Sequence, residues 1–257
     1  MKVGLNLYSI CNFLDTEERF LNAANKLKDM GYEFMQLSGS ALPFDAVKRV
    51  SEKSALPIVL THSPLERIIN DTDALMKDHE LLNCRYIGLG AMPGKIIADK
   101  EKCLETIDAL EKAASYMEER GYKFFYHNHN YEFLKYDGKT VLDIILERAP
   151  HVHFTLDTYW VQYGGGDVVS VVEKLKGKIE CVHLKDYNTI VEEKEDKLIY
   201  KPQFAPVGDG VLDFGKIIDA MKKSGVEYFL VEQDNAAKLP NTMELVERSV
   251  RYIHKNF

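Results

Sequence analysis

The dominant constraint in this sequence is a recurring unit: a short apolar strand, a helical pattern, a left-handed stop, then another strand. Phe20, Ala24, Leu27 and Met30 keep helical spacing up to Gly31, and residues 33–38 then alternate like a strand. Glycine takes the left-handed position after a helix without strain, so it punctuates this rhythm. Gly121 closes the helix carrying Leu104, Ile107, Leu110, Ala114 and Met117, and Gly225 closes that of Phe214, Ile217, Ile218 and Met221. Asn83 and Gly177 fill the same role before residues 86–89 and 179–182. With residues 3–8, 57–62, 123–129, 152–157 and 227–232, the count reaches eight strands, each followed by a helical pattern. Eight such units specify a (β/α)8 TIM barrel, expected here as a single domain over residues 1–257. A doubly wound sheet would use fewer strands and usually a Gly-rich phosphate turn; no GxGxxG or P-loop is present. Asp15 with Glu18 resembles a capping box opening the first helix.

Composition narrows the partners. At 46% hydrophobic, the chain carries enough apolar side chain for a barrel-sized core. No run approaches the ~18 apolar residues of a membrane span, and the first residues lack a signal-peptide layout. A net charge of -7 argues against nucleic acid as the main partner, which wants a basic footprint. Cys11, Cys84, Cys103 and Cys181 have no CxxC spacing and read as reduced thiols of a cytoplasmic protein. A homo-oligomer is left open.

Strands of a parallel barrel are buried on both faces and should be almost wholly apolar. Here one face turns polar toward the C-terminal ends: Asn6, Gln36, His62, His127, His129, Asp157, His183, Lys185 and Glu232. His127 and His129 follow Phe125 on one face, and two imidazoles there are costly to bury without partners. Barrel enzymes gather their catalytic groups at this end, and local rules broken together mark a functional site. Imidazoles and carboxylates aimed at one volume suit one divalent ion such as Mn²⁺, Co²⁺ or Zn²⁺, with Mg²⁺ also open. An ion would also stabilise Asp157 and Glu232 as anions. The competing expectation is a metal-free ion-pair network of His183, Lys185, Asp157 and Glu232. Residues 189–210 interrupt the rhythm and read as a long loop or hairpin at the substrate end, with Leu198 to Tyr200 as its return strand. Asp213 is a plausible N-cap for the helix beyond.

The stretches YHNHNYEF (126–133), LDTYW (156–160), HLKDY (183–187), VGDGVLDF (207–214) and VEQD (231–234) carry a resemblance across nearly the whole chain. Together they resemble the xylose isomerase-like barrels, in particular the sugar phosphate isomerase/epimerase group. The resemblance implies one metal held by His127, Asp157, His183 and Glu232, with His129 an alternative strand-five ligand. The family's ketose epimerases carry glutamate at the strand-five position; a histidine there is similar to its inosose dehydratase branch. The implied chemistry is an enediolate formed by loss of an α-proton, with Glu232 as general base and Lys185 stabilising the oxyanion or moving a proton. His129 and His62 are expected on substrate hydroxyls. Glu132 lies close to a substrate-contacting glutamate of the epimerases, Trp160 is expected to wall the pocket, and Gln36 and Asn6 are further candidate contacts. The expected function is a metal-dependent isomerase or epimerase of sugars or sugar derivatives. The alternatives are an inosose dehydratase-like lyase and a non-catalytic sugar-binding barrel. The family's nuclease branch uses three metals and a basic face, which an acidic chain with eight histidines does not offer. Lys95 is the one suggestive loop cation for a substrate phosphate.

Overall fold

In the computed structural model, which describes residues 1–257, eight parallel strands close a barrel. They are β1 (Val3–Asn6), β2 (Phe34–Leu37), β3 (Ile58–Ser63), β4 (Tyr86–Leu89), β5 (Lys123–His127), β6 (Val152–Asp157), β7 (Cys181–Leu184) and β8 (Tyr228–Val231). Each pairs with its sequence neighbours, and β1 closes the ring against β8. The (β/α)8 architecture expected from the repeat is the one observed.

Period-two alternation explains how the barrel interior is layered. Phe34, Leu60, Phe125, Cys181 and Leu230 form one buried apolar cluster inside the ring. Two residues further along each chain stand Gln36, His62, His127, His183 and Glu232, on the same face and one layer nearer the C-terminal end. The apolar layer anchors the polar one: full burial of each large side chain in it stabilises the fold by ~1.5–3 kcal/mol. Gly4 is the interior residue of β1 in the lower layer. A Cβ there would sit 2.1 Å from the Phe34 ring, so the absence of a side chain is what lets that ring fill the barrel.

The helices wrap this ring and end as the punctuation predicts. Helix α1 (Glu17–Met30) stops at Gly31 with φ 101, and Asn83, Gly121, Gly177 and Gly225 are all left-handed. The cap opening α1 differs from expectation. Thr16, in extended conformation, accepts from the Arg19 amide at 3.2 Å, while Asp15 pairs with the Arg19 side chain. The helix starts one residue later than an Asp15–Glu18 box would require, because Thr16 already satisfies the free amide of the first turn. β1 is also shorter than residues 3–8. Asn6 turns its side chain to accept from the Tyr8 amide, and the chain enters a 3-10 turn at Leu7.

The interruption after β7 is a twisted hairpin, Asp186–Lys194 paired with Lys197–Ala205. Its tip, Glu195 and Asp196, has both residues at positive φ, the turn whose twist matches a two-residue hairpin. Its base is fixed by Asp186, whose carboxylate accepts from the amides of Tyr187, Gly208, Gly210 and Leu212. Asp213 caps the next helix through the Lys216 amide, as expected. All four cysteines are free thiols, three of them buried. No helix is long and apolar enough to cross a membrane.

Candidate metal centre and pocket

β5, β6, β7 and β8 stand side by side in the barrel, and at or beside the end of each stands a polar residue of the inward face: His127, Asp157, His183 and Glu232. Pairing of Asp157 with His183, and of Leu230 with His183, brings these ends to one height. One ligand atom each from His127, Asp157, His183 and Glu232 consequently lies within 4.8 Å of the others, all four residues buried. Asp157 does two jobs. Its Oδ1 accepts from the Trp160 amide at 2.9 Å and caps the short helix Thr158–Tyr163, which turns Oδ2 toward the cluster.

The outer nitrogen of each imidazole is tied to an acceptor. His127 donates through Nδ1–H to the Gly90 carbonyl at 2.9 Å, and His183 Nε2 lies 2.7 Å from Gln36 Oε1. A neutral ring whose outer nitrogen carries the proton presents a lone pair on the inner one. Those inner nitrogens face carboxylate oxygens: His127 Nε2 is 3.3 Å from Asp157 Oδ2, and His183 Nδ1 is 2.8 Å from Glu232 Oε2. The His183–Glu232 approach lacks hydrogen-bond alignment, and both atoms are left without a hydrogen-bond partner. Lone pairs aimed at anionic oxygens repel unless a cation or proton stands between them. Two imidazole nitrogens and two carboxylates suit a borderline divalent ion, and the outer acceptors are the supports such ligands use. The residues present therefore fit a divalent metal.

Lys185 is the one fixed cation beside this cluster. Its ammonium lies 2.8 Å from Asp157, 3.1 Å from Glu232 and 2.8 Å from Asp234. Burial works against its charge, but those carboxylates more than offset it and hold the lysine well above its ordinary range. Burial likewise pushes Asp157 and Glu232 up, and Lys185 with the imidazoles outweighs it, leaving both carboxyls well below theirs. His183, opposed by burial but faced by Glu232 and Asp157, is shifted upward. Burial, with His127 close by, holds His62 well below its usual value and lowers His129 to about 3, so both are neutral near pH 7.

Above the cluster opens a cavity of about 330 Å³, lined by His62, His127, His129, Lys185, Glu232 and Asp234 among others. His62 and His129 thus face the cavity. The remaining expected contacts are placed differently. Asn6 is fully buried and donates to Glu232 Oε1 at 2.8 Å, and Gln36 is fully buried between His183 and His62. Both hold site side chains because barrel closure packs the ends of β1 and β2 against them. Glu132 is also fully buried. It accepts from the Tyr126 hydroxyl at 2.6 Å and the His129 amide at 2.7 Å, so it lies behind His129 and away from the cavity. Trp160 stands beside the cavity rather than lining it, its ring 5.1 Å from that of His129. Lys95 is exposed and does not line the cavity. His129 stays outside the four-residue cluster. Asp234, Tyr8 and Ser38 also face the cavity, and sequence reasoning did not select them. The signal for Asp234 was its place two residues after Glu232, the same spacing that linked His183 to Lys185.

Residues 24–255 match the family model for the xylose isomerase-like TIM barrel. The chain is 28% identical over 170 residues to an inosose dehydratase of Clostridium perfringens, a match covering 62% of this chain and 57% of that protein. The match thus spans little more than half the length of that curated relative. A solved sugar phosphate isomerase/epimerase from Parabacteroides distasonis superposes with a TM-score of 0.82 at 20% identity, over 99% of this chain and 94% of that one. The D-allulose 3-epimerase of Methylomonas sp., solved with D-allulose, gives 0.71 at 15% identity over 100% and 97%. At these identities the structural likeness speaks to the fold alone.

Proposed function

The chain belongs to the xylose isomerase-like TIM barrel family, and on that premise we propose that it is a metal-dependent enzyme removing the proton next to the carbonyl of a neutral polyhydroxylated ketone. The observation that carries this is the four-residue cluster whose imidazoles have their outer nitrogens tied off and their inner nitrogens turned on carboxylates. His127, Asp157, His183 and Glu232 are the proposed ligands; His127, not His129, is the strand-five member. A divalent ion held there would supply Lewis-acid stabilisation of the charge that develops on the substrate's oxygen. Glu232 is the general base, aimed by the Asn6 amide on its Oε1. Lys185 remains protonated and acts as a fixed positive charge beside the developing oxyanion. His62 and His129, neutral and facing the cavity, hydrogen-bond substrate hydroxyls. Asn6 and Gln36 act by positioning other side chains, and Glu132 by holding the His129 backbone.

Charge speaks against a phosphate ester. Lys185 is the one Lys or Arg among the cavity's lining residues, and it is already engaged by three carboxylates. A phosphate dianion would therefore meet no free Lys or Arg side chain in the cavity.

Once the α-proton is on Glu232, the intermediate has two fates. In dehydration the neighbouring carbon loses its hydroxyl as water, Glu232 passing the proton it took from the α-carbon to that leaving group and so returning to its carboxylate form. The histidine at the strand-five position and the similarity to inosose dehydratases favour this outcome. In isomerisation or epimerisation the proton returns to carbon, and the resemblance of the motifs at 126–133, 156–160, 183–187, 207–214 and 231–234 to the isomerase/epimerase group keeps this as the second reading. Incubation of the Mn²⁺-loaded protein with neutral ketoses and inososes in D₂O separates the two. Loss of water from an inosose supports dehydration. Deuterium entering a ketose without loss of water supports the second reading. Neither reaction on any substrate, with the ion bound, overturns the proposed activity.

A further inference from the structure

The Gln36 amide bridges a proposed metal ligand and a cavity-lining residue, and its chemistry allows only one arrangement compatible with metal binding. A ligating His183 Nδ1 needs its lone pair, so a neutral His183 ring carries its proton on Nε2. That N–H requires an acceptor, and the atom 2.7 Å away is Gln36 Oε1. With Oε1 so engaged, the other end of the same amide is an NH₂ group, a donor only. It lies 2.8 Å from His62 Nε2 and 3.3 Å from Ser38 Oγ. His62 Nε2 must therefore accept, and the proton of that neutral ring is displaced to Nδ1. The amide cannot flip without placing NH₂ against the His183 N–H.

We infer that Gln36 is a positioning residue that transmits the tautomer of His183 to His62, fixing His62 as an Nδ1–H donor toward the cavity. This inference rests on the reading of His183 as a metal ligand. The surroundings agree with it. No protein partner accepts from His62 Nδ1, and this atom is not among the buried unsatisfied ones. Gly90 flanks it: a Cβ at Gly90 would come within 3.0 Å of His62 Nδ1, so the glycine keeps that side of the ring clear. The His62 and His127 rings stack with centroids 5.3 Å apart, which limits rotation of His62 away from Gln36. The ligand feature selected is an oxygen that can accept, a carbonyl or hydroxyl, at the His62 position. A group that can only donate is refused there.

The test is the histidine ¹⁵N spectrum of the Zn²⁺-loaded protein, with the His62 resonances assigned from their loss in His62→Asn. The expected result is a protonated Nδ1 and a bare Nε2 on His62. Gln36→Glu then gives the discriminating variant. A carboxylate still accepts from His183 but also accepts from His62, so the His62 proton moves to Nε2. Zn²⁺ affinity by calorimetry should stay within a few-fold in Gln36→Glu, and fall ~10–100-fold in Gln36→Leu, the usual cost of removing a support behind a metal ligand. His62 protonated on Nε2 in the zinc-loaded wild type overturns the inference and leaves the metal centre standing. Absence of Zn²⁺ binding by the wild type overturns the metal centre instead, and with it the premise about His183. Should Gln36→Glu fail to fold, the wild-type tautomer alone decides.

Discussion

The barrel carries a histidine–carboxylate–lysine group at each end, half-buried at the N-terminal end and buried at the C-terminal one, and the two are built on different arithmetic. At the N-terminal end Glu180 stands alone between two nitrogen partners: its Oε1 lies 2.6 Å from Lys123 Nζ and its Oε2 2.7 Å from His153 Nδ1. Each group there has a partner. Burial would raise Glu180, but His153 and Lys123 outweigh it and bring the carboxyl to about 2. At the C-terminal end Asp157, Glu232 and Asp234 converge on one lysine, and inner atoms of His183 and Glu232 are left without hydrogen bonds. The lesson is that a buried histidine is not what distinguishes a site. What distinguishes it is a surplus of one charge together with donors and acceptors that the protein itself does not satisfy. Cavity size does not separate the ends either, since the space beside Phe34, Tyr86 and Tyr228 at the N-terminal end is larger, about 500 Å³.

The largest effect expected from this contrast is in metal binding. Wild-type protein supplied with Mn²⁺ at about a hundred times its Kd should gain ~2.7 kcal/mol of stability by linkage. His183→Ala should lose both the ion, by mass spectrometry, and that stabilisation, by scanning calorimetry, whereas His153→Ala should keep both. Retention of the ion by His183→Ala would break the comparison outright. Next in size is Glu180→Gln, which leaves Lys123 and His153 without their anion. Because Lys123 is partly solvated, the cost should be about 1 kcal/mol in urea unfolding, with kcat unchanged. The lowered carboxyl also sets a pH window: the stability from Glu180 is fully present above its ordinary 4.5 and is lost as pH falls toward 2. The variant should lack that acid limb.

The last expected effect has the opposite sign. Burial raises Glu132 from 4.5 to about 7, the bonds from Tyr126 and the His129 amide offsetting only part of it. A carboxyl raised in the folded state contributes stability that is fully present below 4.5 and declines as pH rises through about 7. Thermal midpoints of metal-free protein between about pH 5 and 8 should fall on this account and flatten in Glu132→Gln. A slope unchanged by the variant would assign the dependence elsewhere.

Much of this molecule was legible in the residues because strand and helix periods are local. Phe125 to His127, Cys181 to His183 and Leu230 to Glu232 are each two residues apart, so their shared face and relative height follow from alternation alone. The eight-fold repeat determined the barrel, and the barrel determined that the polar ends meet at one mouth. The tertiary structure decided what a period cannot carry. β5 ends at His127, and beyond it the chain turns, with the His129 amide held by Glu132, so His129 faces the cavity without joining the four-residue cluster. Asn6 and Gln36 lie on the predicted face, yet ring closure sets them against Glu232 and His183, where their amides are already engaged. Which side chains are free to act depends on hydrogen bonds between strands far apart in sequence, and those exist only once the barrel has closed.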